Sequence, residues 1–183
     1  MRDNPYKQVV KYLLKQKRVS ISKDKFNNFY LTDGLIGLKL KNTVYYTYFG
    51  IENKEHFPDL EAGYSVDCIK GIMQTAYQSD GIKVLFDEAN WRDKVCPSVL
   101  TAHRDRGFCD LSIFFNSDHV TLVNSRYLSM FKGIHCIEYL NKDSIHPVFG
   151  CSESCIFCLM PVSVNGDSRI FGDIHDIYNA KLR

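Results

Sequence analysis

The sequence contains no long apolar run. No window approaches the roughly 20 apolar residues that a membrane-spanning helix needs. The opening Met-Arg-Asp-Asn-Pro has no apolar stretch of the kind an export signal carries. A soluble protein of the cytoplasm, without membrane contact, is the expectation. An excess of one charge is missing as well: 23 basic against 21 acidic side chains leave +2. The total charge therefore neither announces nor excludes a nucleic-acid partner, and such a function would have to rest on a local basic stripe. There is no low-complexity segment. No acid, base and nucleophile are paired in a recognisable arrangement, which argues against an enzyme and gives no reason to expect a cofactor. The seven cysteines are an odd number in a chain of 183 residues, long enough to fold without covalent staples, and several sit inside apolar runs as reduced core cysteines do. Disulfides are not expected.

What is present is an ordinary globular composition, 45% hydrophobic and 24% charged, enough to bury a core in one compact domain or a domain and a half. Asn4-Pro5 supplies a cap and a first-turn proline for a helix over 6–17, with Tyr6, Val9, Val10, Leu13 and Leu14 on one side. Beside them Lys7, Lys11, Lys15 and Arg18 form a stripe. Such a stripe is commonly just a solvated face; this one contains no acid, and its self-repulsion would be relieved by a phosphate backbone. Strands are expected at Phe29 and Leu31 and over 35–40, around a Thr32-Asp33-Gly34 turn, and at 44–49. Phe57-Pro58-Asp59-Leu60 marks a boundary. A second helix is expected over 65–78, strands at 82–86 and 110–115, and a long irregular loop over 87–106. Val120 to Val123 reads as a strand, Asn124 as a cap, and 125–132 as an amphipathic helix. Strand-like pieces at 136–140 and 145–149 follow, and then the buried apolar run 155–162. Helices near residues 6, 65 and 125, each followed by strands, suggest three related units.

Three motif matches carry less than they promise. Cys151, Cys155 and Cys158 have the spacing with which some radical enzymes hold an iron-sulfur cluster, but Cys155 and Cys158 fall in one strand, where residues three apart point to opposite faces. His103-Arg104-Asp105 looks like a kinase catalytic loop, yet the sequence has no Asp-Phe-Gly and no glycine-rich loop. Cys96, His103 and Cys109, or Asp173 and His175, match no standard zinc spacing.

The order of four short words is more informative. Val123-Asn124-Ser125-Arg126-Tyr127-Leu128, leading to Leu159-Met160-Pro161-Val162, resembles the last part of the bacterial sliding clamp, the DNA polymerase III beta subunit family. Tyr30-Leu31-Thr32-Asp33-Gly34 is similar to that family's Thr-Asp-Gly strand end, and Phe57-Pro58-Asp59 to its Phe-Pro-Asp domain boundary. The resemblance implies an α+β, DNA-clamp-like fold with helices packed on antiparallel sheets. Residues 1–56 would be a partial clamp-like unit, 57–164 a clamp-like domain, and 165–183 a C-terminal tail that clamps lack. The family's His-Arg-Leu after Thr-Asp-Gly is replaced by Leu35-Ile36-Gly37, and a first clamp domain has no counterpart. The implied function is non-enzymatic. Lys7, Lys11, Lys15, Arg18, Lys70, Arg126 and Lys132 would face duplex DNA without reading its bases. Thr32, Gly34, Leu35, Pro58, Cys158 and Met160 would form a pocket for polymerase or repair peptides, in a chain able to form homo-oligomers. The alternatives are a phage or mobile-element interaction module that never touches DNA, and a metal or iron-sulfur protein built on Cys151, Cys155 and Cys158. In the tail, Ile170, Phe171, Ile174, Ile177 and Tyr178 recur at roughly helical spacing, so Ile170 and Phe171 are expected to lie over or beside the Met160 surface.

Overall fold

The structure, a computed structural model, describes residues 4–50, 53–79, 81–87, 93–104, 109–135 and 138–162. The tail, Asp105, Asp173 and His175 lie outside the described residues. Asn4 turns the chain into the first helix by accepting a hydrogen bond from the Tyr6 amide at 2.9 Å. Helix α1 (Lys7–Leu13) then buries Val9, Val10 and Leu13. Strands β1 (Arg18–Lys23), β2 (Phe29–Thr32) and β3 (Ile36–Leu40) form an antiparallel meander. The turn between β2 and β3 is fastened by its own side chains: Asp33 Oδ1 accepts from the amides of Leu35 and Ile36, both at 2.9 Å, and Gly34 takes a φ of 91°.

Four expectations are corrected in the middle of the chain. Residues 44–49 are not a strand: helix α2 (Asn42–Tyr45) runs on into a π-helical turn (Tyr46–Gly50). The buried side chains there, Tyr45 and Phe49, are four apart, while Thr47 between them is exposed, so the period is helical and the alternation was coincidental. The helix expected over 65–78 is instead β4 (Tyr64–Ile69), β5 (Ile72–Met73) and β6 (Tyr77–Gln78). Lys70 and Gly71 both have positive φ, 51° and 79°, and Ile69 pairs with Ile72. That is the two-residue hairpin turn whose twist matches the flanking strands. Residues 82–86 fall in helix α3 (Gly81–Leu85) and its end, entered through Ser79, whose Oγ accepts from the Gly81 amide at 3.0 Å. The expected loop 87–106 contains β7 (Asp93–Lys94) and β8 (Cys96–Arg104). Only two of the three expected helix-plus-strand units are therefore found.

Ahead of the second of these come β9 (Cys109–Phe115) and β10 (Val120–Asn124). Asn124 Oδ1 accepts from the Arg126 amide at 2.9 Å and caps α4 (Ser125–Ser129), whose turns continue to Ile134. Strands β11 (Glu138–Asn141), β12 (Val148–Cys151) and β13 (Cys155–Leu159) form a second meander. The main sheet has ten strands in the order β5-β4-β1-β2-β3-β13-β12-β11-β7, with β6 beside β4. A second sheet has three, in the order β10-β9-β8. Every strand pairing among the described residues is antiparallel. The protein is thus a mixed fold of antiparallel sheets and few, short helices.

The two meanders repeat one plan about the β3–β13 pair. Outward from it the sheet reads β3, β2, β1, β4 in one direction and β13, β12, β11, β7 in the other, and each three-stranded meander is preceded in the chain by a helix on the same face. The helices share a burial spacing: Tyr6, Val9, Val10 and Leu13 in one, Tyr127, Met130, Phe131 and Ile134 in the other. Along the middle of this helix face runs the row Tyr139, Gly150, Phe157, Leu38, Leu31, Ile21 and Val66. The Phe157 ring stacks on Phe131 at 3.9 Å and Phe29 stacks on Tyr45 at 3.6 Å. Such pairs contribute about 0.5–1.5 kcal/mol beyond their buried area. The second sheet is tied to the first by the Val123–Pro161 bridge and by fully buried Asn141. The Asn141 Oδ1 accepts from Thr121 Oγ1 at 3.0 Å and from His119 Nε2 at 2.6 Å, and its Nδ2 donates to the carbonyls of His146 and Pro147. No polar atom of this amide is left unpaired, which is what makes its burial tolerable.

Candidate functional site

Because the two helices lie on the same face, their outward sides form one surface. Their contact is close at both ends. The rings of Tyr12 and Tyr127 are 5.7 Å apart, and a Cβ on Gly133 would stand 3.0 Å from the Pro5 carbonyl oxygen, so glycine permits the approach. The helices run antiparallel, and Lys7, Lys11 and Lys15 on one, with Arg126 and Lys132 on the other, are all exposed. Residues 4–17 and 120–135 contain no Asp or Glu. Two acids stand near its ends: Asp33 accepts a hydrogen bond from Tyr12 Oη at 2.6 Å, and Glu153 lines a cleft beside Pro5. Five like charges on one face raise the local potential far above what a net charge of +2 suggests.

The other two expected DNA-facing residues are placed elsewhere. Arg18 begins β1, on the far face of the sheet, and its Nη2 is 2.8 Å from Asp67 Oδ2. Burial pushes the Asp67 carboxyl up, but hydrogen bonds from Ser20 and Arg18 outweigh it and hold the group below the usual carboxylate range. Lys70 sits in the β4–β5 turn, not on a helix.

Of the expected peptide pocket, the structure brings five residues together. Thr32 and Cys158 flank Gly37 in adjacent strands. Leu35 and Gly34 follow in the turn, and the Met160 amide donates to the Leu35 carbonyl at 3.0 Å. Pro58 is not among them. Its carbonyl accepts from Tyr45 Oη at 2.7 Å, and Tyr45 stacks on Phe29, at the opposite end of β2 from Thr32. Sequence reasoning missed the residues that cover this place, Leu85 and Phe86. An added Cβ on Gly37 would meet Cys158 Sγ at 2.6 Å, Phe86 Cζ at 3.1 Å and Leu85 Cδ2 at 3.2 Å. A signal for them existed in the Ser79 cap and in Ile82, Leu85 and Phe86 at helical spacing.

The three clustered cysteines do not converge. Cys155 packs on the helix face within the main core, while Cys158 faces Gly37 and Phe86 on the far side. Burial pushes both thiols up, although Ser152 and Tyr6 donate toward Cys155, so neither is poised as a thiolate ligand. Among the described residues no three His, Cys, Asp or Glu side chains are grouped to hold a metal ion. A cleft of about 230 Å³ between the start of α1 and the β12–β13 turn is lined by Tyr6, His135, Ser152, Glu153 and Ser154, among others. Its hydroxyls are engaged locally: Ser152 Oγ bonds the carbonyl and amide of Cys155, and Ser154 Oγ pairs with Tyr6 Oη at 2.9 Å. No helix among the described residues is long and apolar enough to cross a membrane. Comparison of the chain with protein-family models, with curated proteins and with solved structures finds no match.

Proposed function

We propose that this is a non-enzymatic, sliding-clamp-like protein that holds duplex DNA without regard to sequence and docks replication or repair peptides on the far side of its sheet. The observation that supports the reading most is the row of exposed cations Lys7, Lys11, Lys15, Arg126 and Lys132 on two antiparallel helical segments that contain no acid of their own. It rests on a sheet built from two halves of one plan. Long, exposed cations on a helical face suit phosphates, which they can neutralise without reaching base edges. Binding of that kind releases counterions, and log affinity then falls with log salt by about 0.9 for each phosphate contacted.

The test is the affinity for a mixed-sequence DNA duplex measured across a salt series, with the solution mass of the protein determined with and without DNA. Replacing the five cations by glutamine should flatten the slope by several units, at most about 4.5. Arg18→Gln, whose partner is Asp67, should leave it unchanged. An unaltered slope in the fivefold variant, or no binding by the wild type at low salt, would remove the DNA half of the reading.

A further inference from the structure

The far face of the main sheet changes character from one side to the other. Toward β4, β1 and β2 it carries Asp67, Ser65, Ser20, Ser22 and Thr32, whereas toward β13, β12 and β11 it carries Cys158, Ile156, Phe149 and Leu140. At the junction Gly37 offers no side chain at all, which leaves a trough between Tyr30, Cys158 and Phe149. Helix α3 fills that trough. Phe86 stands 5.5 Å from the Tyr30 ring and 6.1 Å from Phe149, and Leu85 closes over Gly37. These residues form a cluster of their own, with Ile82 and Ile156 at its margin, separate from the main core. The helix is five residues long, too short to be stable by itself. Its outer side chain, Val84, is 64% exposed.

We propose that α3 is an internal occupant of the docking groove. Leu85 and Phe86 take the place that an incoming segment with an adjacent aliphatic–aromatic pair would take, so such a segment docks only when α3 has left. The inference rests on the peptide-docking half of the function proposed above. It adds that the site is closed in the resting protein. An occupant on the same chain acts at high effective concentration, so even a weak contact keeps the groove covered.

The experiment uses the full chain and, as probe, a labelled synthetic peptide of residues 79–87. The variant Leu85→Ser/Phe86→Ser empties the groove. It should bind the peptide at least tenfold more tightly than wild type, and Gly37→Val in the same background should abolish that binding. A peptide carrying both serines should not bind. If folded wild-type and opened proteins bind the peptide equally, docking stands and the occupant role falls. If neither binds it, the groove is not a docking site and both fall. Should the opened variant fail to fold, hydrogen exchange on wild type decides. The Phe86 amide, bonded to Lys83 O at 2.9 Å, should exchange well before the amides of β2, β3 and β13. Exchange only with global unfolding would make α3 part of the core and overturn the proposal.

Discussion

Gly150→Ala tests the packing on which the two-halved sheet depends. Gly150 lies in β12 opposite Phe157, and a Cβ there would fall 2.2 Å from Phe157 Cζ, 2.6 Å from Cε1 and 2.8 Å from Cε2. The ring has no room to withdraw, because it is fully buried and stacked on Phe131 at 3.9 Å. Overfilling a closed core costs about 1–3 kcal/mol, and three ring atoms inside contact distance place this site in the upper half of that range. Exchanging glycine for alanine also restricts the unfolded chain, which returns about 0.4–1 kcal/mol. A net loss of about 2 kcal/mol is expected, or roughly 4–8 °C in Tm for a chain of this size. The mechanism predicts more than the loss. In a Phe157→Leu background the clash is gone, and Gly150→Ala should be neutral or slightly stabilising although Phe157→Leu is itself costly. Urea unfolding of the four proteins gives the coupling directly. Equal costs for Gly150→Ala in both backgrounds, or a cost below about 0.5 kcal/mol in wild type, would show that the ring does not lie over Gly150.

Two further outcomes follow from local geometry. Asp24 is buried, and it accepts from the amides of Phe26 and Asn28, the Asn28 side chain and the Tyr30 hydroxyl. Burial pushes its carboxyl up, but these bonds outweigh it and hold the group below the usual range. A lowered native pKa gives stability that is complete above the unfolded value, about 3.9, and lost as pH falls through the native one. Asp24→Asn should therefore weaken the protein at neutral pH and flatten its loss of stability between about pH 4 and pH 2; an unchanged acid slope in urea unfolding would refute this. In the β4–β5 turn, Lys70→Asn should stabilise by a few tenths of a kcal/mol and Gly71→Ala should destabilise by about 1, since both positions require positive φ. A helix through 65–78 would favour alanine at 71, so thermal melts showing that order would count against the hairpin.

Elements whose signals are local and agree with one another were legible before any tertiary contact was known. Asn4 and Asn124 each stand before an apolar set at helical spacing, and both helices form. Thr32-Asp33-Gly34 closes its own hydrogen bonds within the turn, so the β2–β3 hairpin needs no distant help. The alternation of Val19, Ser20, Ile21 and Ser22 is an equally local signal for β1. Other segments carried two periods at once, and only packing chose between them. Tyr45 and Phe49 satisfy strand and helix spacing alike, and the Phe29 ring under Tyr45 selected the helix. Val66, Ile69 and Met73 suit a helix, but β1 offered a whole strand edge to residues 64–69, and Lys70-Gly71 could turn the chain back. Strand β8 owes its form to pairing with β9 across the sheet. The candidate site divides in the same way. The acid-free lysine stripe could be read from spacing, because charge on one helix face is a local property. That Arg126 and Lys132 stand beside it and that Leu85 and Phe86 cover Gly37 depend on the meeting of β3 and β13, and that Arg18 turns to Asp67 depends on the pairing of β1 with β4. Those distances are set by long-range pairing, which no stretch of the chain encodes alone.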